Sequence, residues 1–114
     1  MKKKPAPRRF GALTVFPLIP AAVRTFSALR LTMKPGAQTP SIYHRKTNEF
    51  FFILRGSAKA RINGRSVRFK KGDFAFLPAK TRHQFEAGPA GVEVLDIFIP
   101  RLDLDNPDIR TVEQ

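Results

Sequence analysis

His44 and His83 are the only histidines in a chain of 114 residues, and there is no cysteine. Each histidine lies in a short extended segment beside a turn. Glu49 heads the run Glu-Phe-Phe-Phe-Ile-Leu, residues 49–54, in which every other member is apolar. A carboxylate in such a run is costly to bury unless it is paired or bound to a metal. Side chains two apart in a strand share a face, so Ile42 and His44 point the same way. If residues 42, 44, 49 and 83 face one cavity, two imidazoles and one carboxylate converge there. That donor set serves non-haem Fe(II), and it also suits Mn, Ni or Zn. The same parity puts Phe51 and Ile53 on the face of Glu49, and Phe85 on the face of His83, as an aromatic and aliphatic pocket wall. The blander reading makes these apolar residues plain core and the histidines hydrogen-bonded pocket residues. The missing cysteines exclude disulfides, thiolate-bound zinc, iron–sulfur clusters and thiol nucleophiles. No residue is singled out as catalytic.

The elements that must position these groups read as strands. Residues 25–33 alternate loosely and end at the Pro35-Gly36 turn. Residues 41–44 form a short extended piece. The run 49–54 is apolar on both faces, so both must be covered, and Arg55-Gly56 is expected to end it. Residues 58–62 alternate cleanly up to Asn63-Gly64, the strongest short hairpin signal, and 66–69 return. Residues 74–77 stop at Pro78. Residues 83–86 and 92–99 follow, with Gly88, Pro89 and Gly91 between them. No window shows a convincing helical period. Seven or eight short strands with turns every 8–12 residues indicate an all-β sandwich or barrel.

The spacing of these residues resembles that of the cupins. Gly36, His44, Glu49 and Gly56 fall in register with the first motif of that family. Gly72, Pro78 and His83 fall in register with the second. Lys80 stands where the family has Gly, and Ala87 where it has Asn. The resemblance spans about residues 33–100 and implies a double-stranded β-helix, or jelly-roll β-barrel. It also implies a divalent metal site that keeps three donors, His44, Glu49 and His83. The usual fourth donor position is occupied by Ile42, which cannot ligate.

The net charge is +12. Residues 1–9 carry +5 between prolines and read as a disordered basic arm, and residues 101–114 form an acidic tail of −2. That leaves +9 on a barrel domain spanning 10–100. The charge favours an anionic small molecule, such as a sugar acid, phosphate or carboxylate, through steering. Lys59, Arg61, Arg65 and Arg68 form a basic patch without interleaved exposed aromatics, so nucleic acid is not the expected partner. No apolar run reaches the length of a membrane span. Pro17 and Pro20 would break the helix of a secretory signal, so the chain is expected to be cytoplasmic. A homodimer is expected to cover the outer face of residues 49–54, and the resemblance implies that residues 10–18 supply a strand that docks on the partner. The functional expectation is a small-molecule pocket that holds a divalent metal, with isomerase, lyase or dioxygenase chemistry if the protein is an enzyme. The alternative is a metal-free, carbohydrate-like binding or sensor module.

Overall fold

Asn63 and Gly64 both adopt positive φ, 48° and 84°, as a tight type I′ hairpin requires. In the computed structural model, which describes residues 6–112, this turn joins β5 (Asn48–Ile62) to β6 (Arg65–Lys70). The other strands among the described residues are β1 (Arg8–Phe10), β2 (Leu13–Pro17), β3 (Ser27–Met33), β4 (Ile42–His44), β7 (Phe74–Leu77), β8 (His83–Ile99) and β9 (Ile109–Thr111). All pairings are antiparallel. One path runs β1-β2-β3-β8-β4-β9, while β5 pairs with β6, β7 and β8. The observed fold is all-β, as the strand spacing indicates, and it is the jelly roll that the resemblance implies.

Two expected breaks are absent. Arg55-Gly56 lies inside β5, and Gly88–Gly91 lies inside β8. The β5–β8 ladder runs from Asn48↔Ile99 to Ile62↔His83, with register irregularities at Ile53/Arg55 and Gly56/Ala58. These glycines bend the ribbon instead of ending it. Gly56 has φ +71°, and a Cβ there would overlap the carbonyl oxygen of Gly91. The bend makes the site possible. His83 pairs with Ile62, thirteen residues from Glu49 along β5. A straight strand at ~3.3 Å per residue would hold them about 40 Å apart. In the folded ribbon their side chains approach within 3.6 Å.

Pairing also extends beyond residues 10–100. Arg8 and Arg9 belong to β1, and Arg8 meets Asp105 at 2.9 Å. β2 lies along β3 of its own chain, with Thr14 opposite Thr32. β9 pairs with β4, and Leu102 is buried. Lys2, Lys3 and Lys4 of the basic arm lie outside the described residues. The core sits between the two halves of the roll, where Phe51 and Ile53 are 2% and 1% exposed. Burying such side chains contributes roughly 1.5–3 kcal/mol each. On the outer face, Phe50 and Phe52 are half-buried opposite Phe76 and Phe74 of β7, which remain 56% and 64% exposed.

Candidate metal centre

β4 brings His44 beside β8 through the pair Ile42↔His83. The bent β5–β8 ribbon then sets Glu49 against both rings. One donor atom from each of His44, Glu49 and His83 lies within 4.8 Å of the others, and all three residues are buried. Glu49 Oε1 is 3.8 Å from His44 Nε2 and 3.6 Å from His83 Nε2. Those separations are too long for hydrogen bonds.

The protons of both rings are held on the far side. The Thr81 carbonyl accepts from His83 Nδ1 at 2.9 Å, so that nitrogen carries the hydrogen. Asp108 Oδ1 accepts from His44 Nδ1 at 3.1 Å. Burial alone would raise the Asp108 carboxyl. The Lys46 amide, His44 and Thr47 outweigh that and hold it below the ordinary carboxylate range. Asp108 is therefore an anion that fixes the His44 tautomer. In the neutral rings, both Nε2 lone pairs then face a carboxylate oxygen. Three electron-rich atoms in one buried place repel one another unless a cation sits among them.

Asp96 of β8 completes the polar end. Burial chiefly, and then the charge of Glu49 and the hydrogen bond with it, push the Asp96 carboxyl well above its usual range. Among the described residues, the buried side-chain oxygens without a protein partner are Glu49 Oε1 and Asp96 Oδ1. Buried polar atoms are nearly always paired, so two orphans in one spot point to a ligand or ion. Both line a cavity of about 390 Å3. Ile42, Phe51, Ile53 and Phe85 line it too, so all seven residues singled out from the sequence surround one space. Phe51 packs edge-on against Phe85 at 5.3 Å between ring centres, and the two histidine rings lie 5.9 Å apart. Sequence reasoning missed Asp96 and Asp108. Asp96 carries the signal that marked Glu49, an acid in an apolar run. Asp108 carries no such signal.

A roll of this kind with an internal two-histidine, one-carboxylate cluster defines a class of small barrel proteins, and the comparisons agree. The sequence pattern of the Cupin domain matches residues 29–98, and the chain belongs to that family. The Streptomyces glaucescens "Tetracenomycin polyketide synthase protein TcmJ" is 28% identical over 80 residues, 68% of this chain and 54% of that protein. Mannose-1-phosphate guanylyltransferase of Klebsiella pneumoniae is 30% identical over 73 residues, 63% of this chain and 16% of that protein. The chain thus spans about half of the first relative and a small part of the second. KdgF from Halomonas sp. has a similar fold, with a TM-score of 0.77 at 19% identity, covering 86% of this chain and 88% of that one. Oxalate decarboxylase from Bacillus subtilis gives 0.78 at 21% identity, covering 94% and 30%. At such identities these structures speak to the fold alone. No helix among the described residues is long and apolar enough to cross a membrane.

Proposed function

We propose that this cupin holds a divalent metal on His44, Glu49 and His83 and presents it to a small molecule in the adjoining cavity. The observation that carries the reading is Glu49 Oε1, a buried and unpartnered oxygen between two Nε2 atoms whose protons are held elsewhere. The donor set fits Fe, Mn, Ni or Zn. When bound there, such an ion would polarise a substrate oxygen, the common element of isomerase, lyase and dioxygenase chemistry. The chain's own residues set the donors. Thr81 and Asp108 orient the imidazoles, Asp96 holds a proton against Glu49, and the apolar walls exclude water. Elemental analysis of untagged protein tests the reading: near-stoichiometric metal supports it, and none under metal-replete expression removes it.

One observation favours a metal-free binding module instead. Ile42 lines the cavity at the fourth donor position, and the proton shared between Asp96 and Glu49 offsets part of the cost of a bare carboxylate. The homodimer is supported by the outer aromatic face, where Phe74, Phe76 and Ile99 are 64%, 56% and 50% exposed. The cytoplasmic location expected from the sequence is kept as part of this proposal. The basic exterior supports steering of an anion towards the protein. It does not extend into the chamber, because no Lys or Arg among the described residues lines the cavity.

A further inference from the structure

The four titratable groups of the cavity, His44, Glu49, His83 and Asp96, form a single cluster through the distances and hydrogen bond given above. The hydroxyl of Thr39, which also lines the cavity, is engaged as the acceptor for the Phe85 amide at 2.9 Å. The rest of the wall is aliphatic or aromatic, with Leu29, Leu31, Met33, Val94 and Phe98 representative. A sugar or sugar acid brings hydroxyls around its whole ring. Each hydroxyl left without a partner costs about 1–3 kcal/mol on the protein scale. Against them this wall offers a single side-chain hydroxyl, that of Thr39.

Charge points the same way. Glu49 offsets one of a divalent ion's two charges, and Asp108 behind His44 lowers what remains. One ionised oxygen on a ligand would use up the residual field. A second, as on a phosphate ester, would stand in an apolar chamber with no side-chain cation near it. Volume sets the size. An apolar cavity of about 150 Å3 takes up benzene, so one of 390 Å3 has room for about two fused rings.

We propose that the ligand of this cavity is a largely apolar, ring-bearing molecule with at most one ionised oxygen, and not a sugar acid or a phosphate ester. The proposal rests on the reading that the histidine–glutamate end faces the ligand, but the apolar wall stands without a metal. The ring packs among Phe51, Phe85 and the aliphatic side chains, and its oxygen points to the polar end.

The test is calorimetric titration of untagged protein, both Mn-loaded and metal-free, with 2-naphthol, D-glucuronate and glucose 6-phosphate. 2-Naphthol is expected to bind at least tenfold more tightly than either sugar probe in both forms. Leu31→Trp narrows the chamber without touching the donors. It is expected to weaken 2-naphthol at least fivefold while metal uptake stays the same. A sugar probe that binds as tightly as 2-naphthol overturns the proposal. Binding of 2-naphthol that ignores a folded Leu31→Trp also overturns it. If that variant does not fold, the wild-type comparison decides alone. Failure of the metal reading would look different, because Mn would not titrate into the protein while the preference for 2-naphthol persisted.

Discussion

Replacing Asp108 with Asn should weaken metal binding without unfolding the protein, because of how the donors around that carboxylate are shared. Oδ2 accepts from the Lys46 amide at 2.7 Å, the Thr47 amide at 3.0 Å and the Thr47 hydroxyl at 2.9 Å. Oδ1 accepts from His44 Nδ1 at 3.1 Å. Asparagine has one oxygen, and three donors claim it. Its NH2 must then face His44 and donate, which makes Nδ1 the acceptor and moves the ring proton to Nε2. That proton would sit where a metal needs a lone pair. Loss of such an outer partner typically lowers metal affinity about 10–100-fold, or roughly 1.4–2.8 kcal/mol. Zinc titration of the apo protein should show that drop, and nitrogen-15 NMR should place the His44 proton on Nε2. Wild-type affinity in Asp108→Asn, or a proton still on Nδ1, would refute the tautomer argument.

Asp108→Ala should differ in kind, because it removes every acceptor at once. Hydrogen bonds to a charged group contribute about 1.5–3 kcal/mol each, less where water can replace them. The Lys46 amide is exposed, whereas Thr47 is buried. The loss should be about 2–4 kcal/mol in denaturant unfolding. Its pH dependence has a definite sign. A carboxyl lowered in the fold contributes stability that is complete above its unfolded pKa of about 3.9 and is lost as pH falls through the lower folded value. The gap between wild type and Asp108→Ala should therefore persist at neutral pH and close below about pH 4.

Glu49→Ala and His83→Ala each remove one of three protein donors, so purified protein should carry little metal where wild type carries about one equivalent. Ile42→His adds an imidazole on the face of His44, beside His83 in register, and should produce a larger metal-dependent rise in melting temperature. A response to metal in Ile42→His but not in wild type would assign the native protein to the metal-free class. Gly56→Ala forces a Cβ into the Gly91 carbonyl at positive φ and should cost about 2–4 kcal/mol, read from the unfolding midpoint. Light scattering should return twice 12.9 kDa for wild type and the monomer mass for Phe74→Lys combined with Phe76→Lys; a monomeric wild type refutes the dimer.

Local rules served the fold well wherever a local signal governs. Asn63-Gly64 makes the turn its φ angles demand, and β7 ends at Pro78 as a chain losing a ladder N–H should. The same rules misread Gly56 and Gly91 as strand ends. A glycine at positive φ can stop a strand or bend it, and which one happens depends on whether the partner strand continues. Here β5 and β8 continue together, a fact with no local signature in either segment. The short strands β1 and β9 were missed because each holds through a few long-range pairs at the sheet edge.

The site was legible in proportion to the burial of its groups. Glu49 shows in the sequence because an acid among phenylalanines is expensive to bury, and the cost itself points to a partner. Asp96 satisfies the same test in Val-Glu-Val-Leu-Asp-Ile-Phe-Ile and is 3% exposed. The signal is weaker there, because Glu93 in the same run shows that an acid can also point outward, to Arg30 at 3.1 Å. Asp108 is different in principle. It is only partly buried, it sits among exposed acids, and backbone amides already satisfy it, so nothing in its surroundings marks it as costly. Its link to His44 spans 64 residues and exists only after β9 has paired with β4. Donors are thus advertised by the penalty of hiding them, whereas the groups that aim the donors are stable without a metal and leave no such trace. For this barrel, the acid that sets the His44 tautomer belongs to the segment that composition alone would assign to a solvated tail.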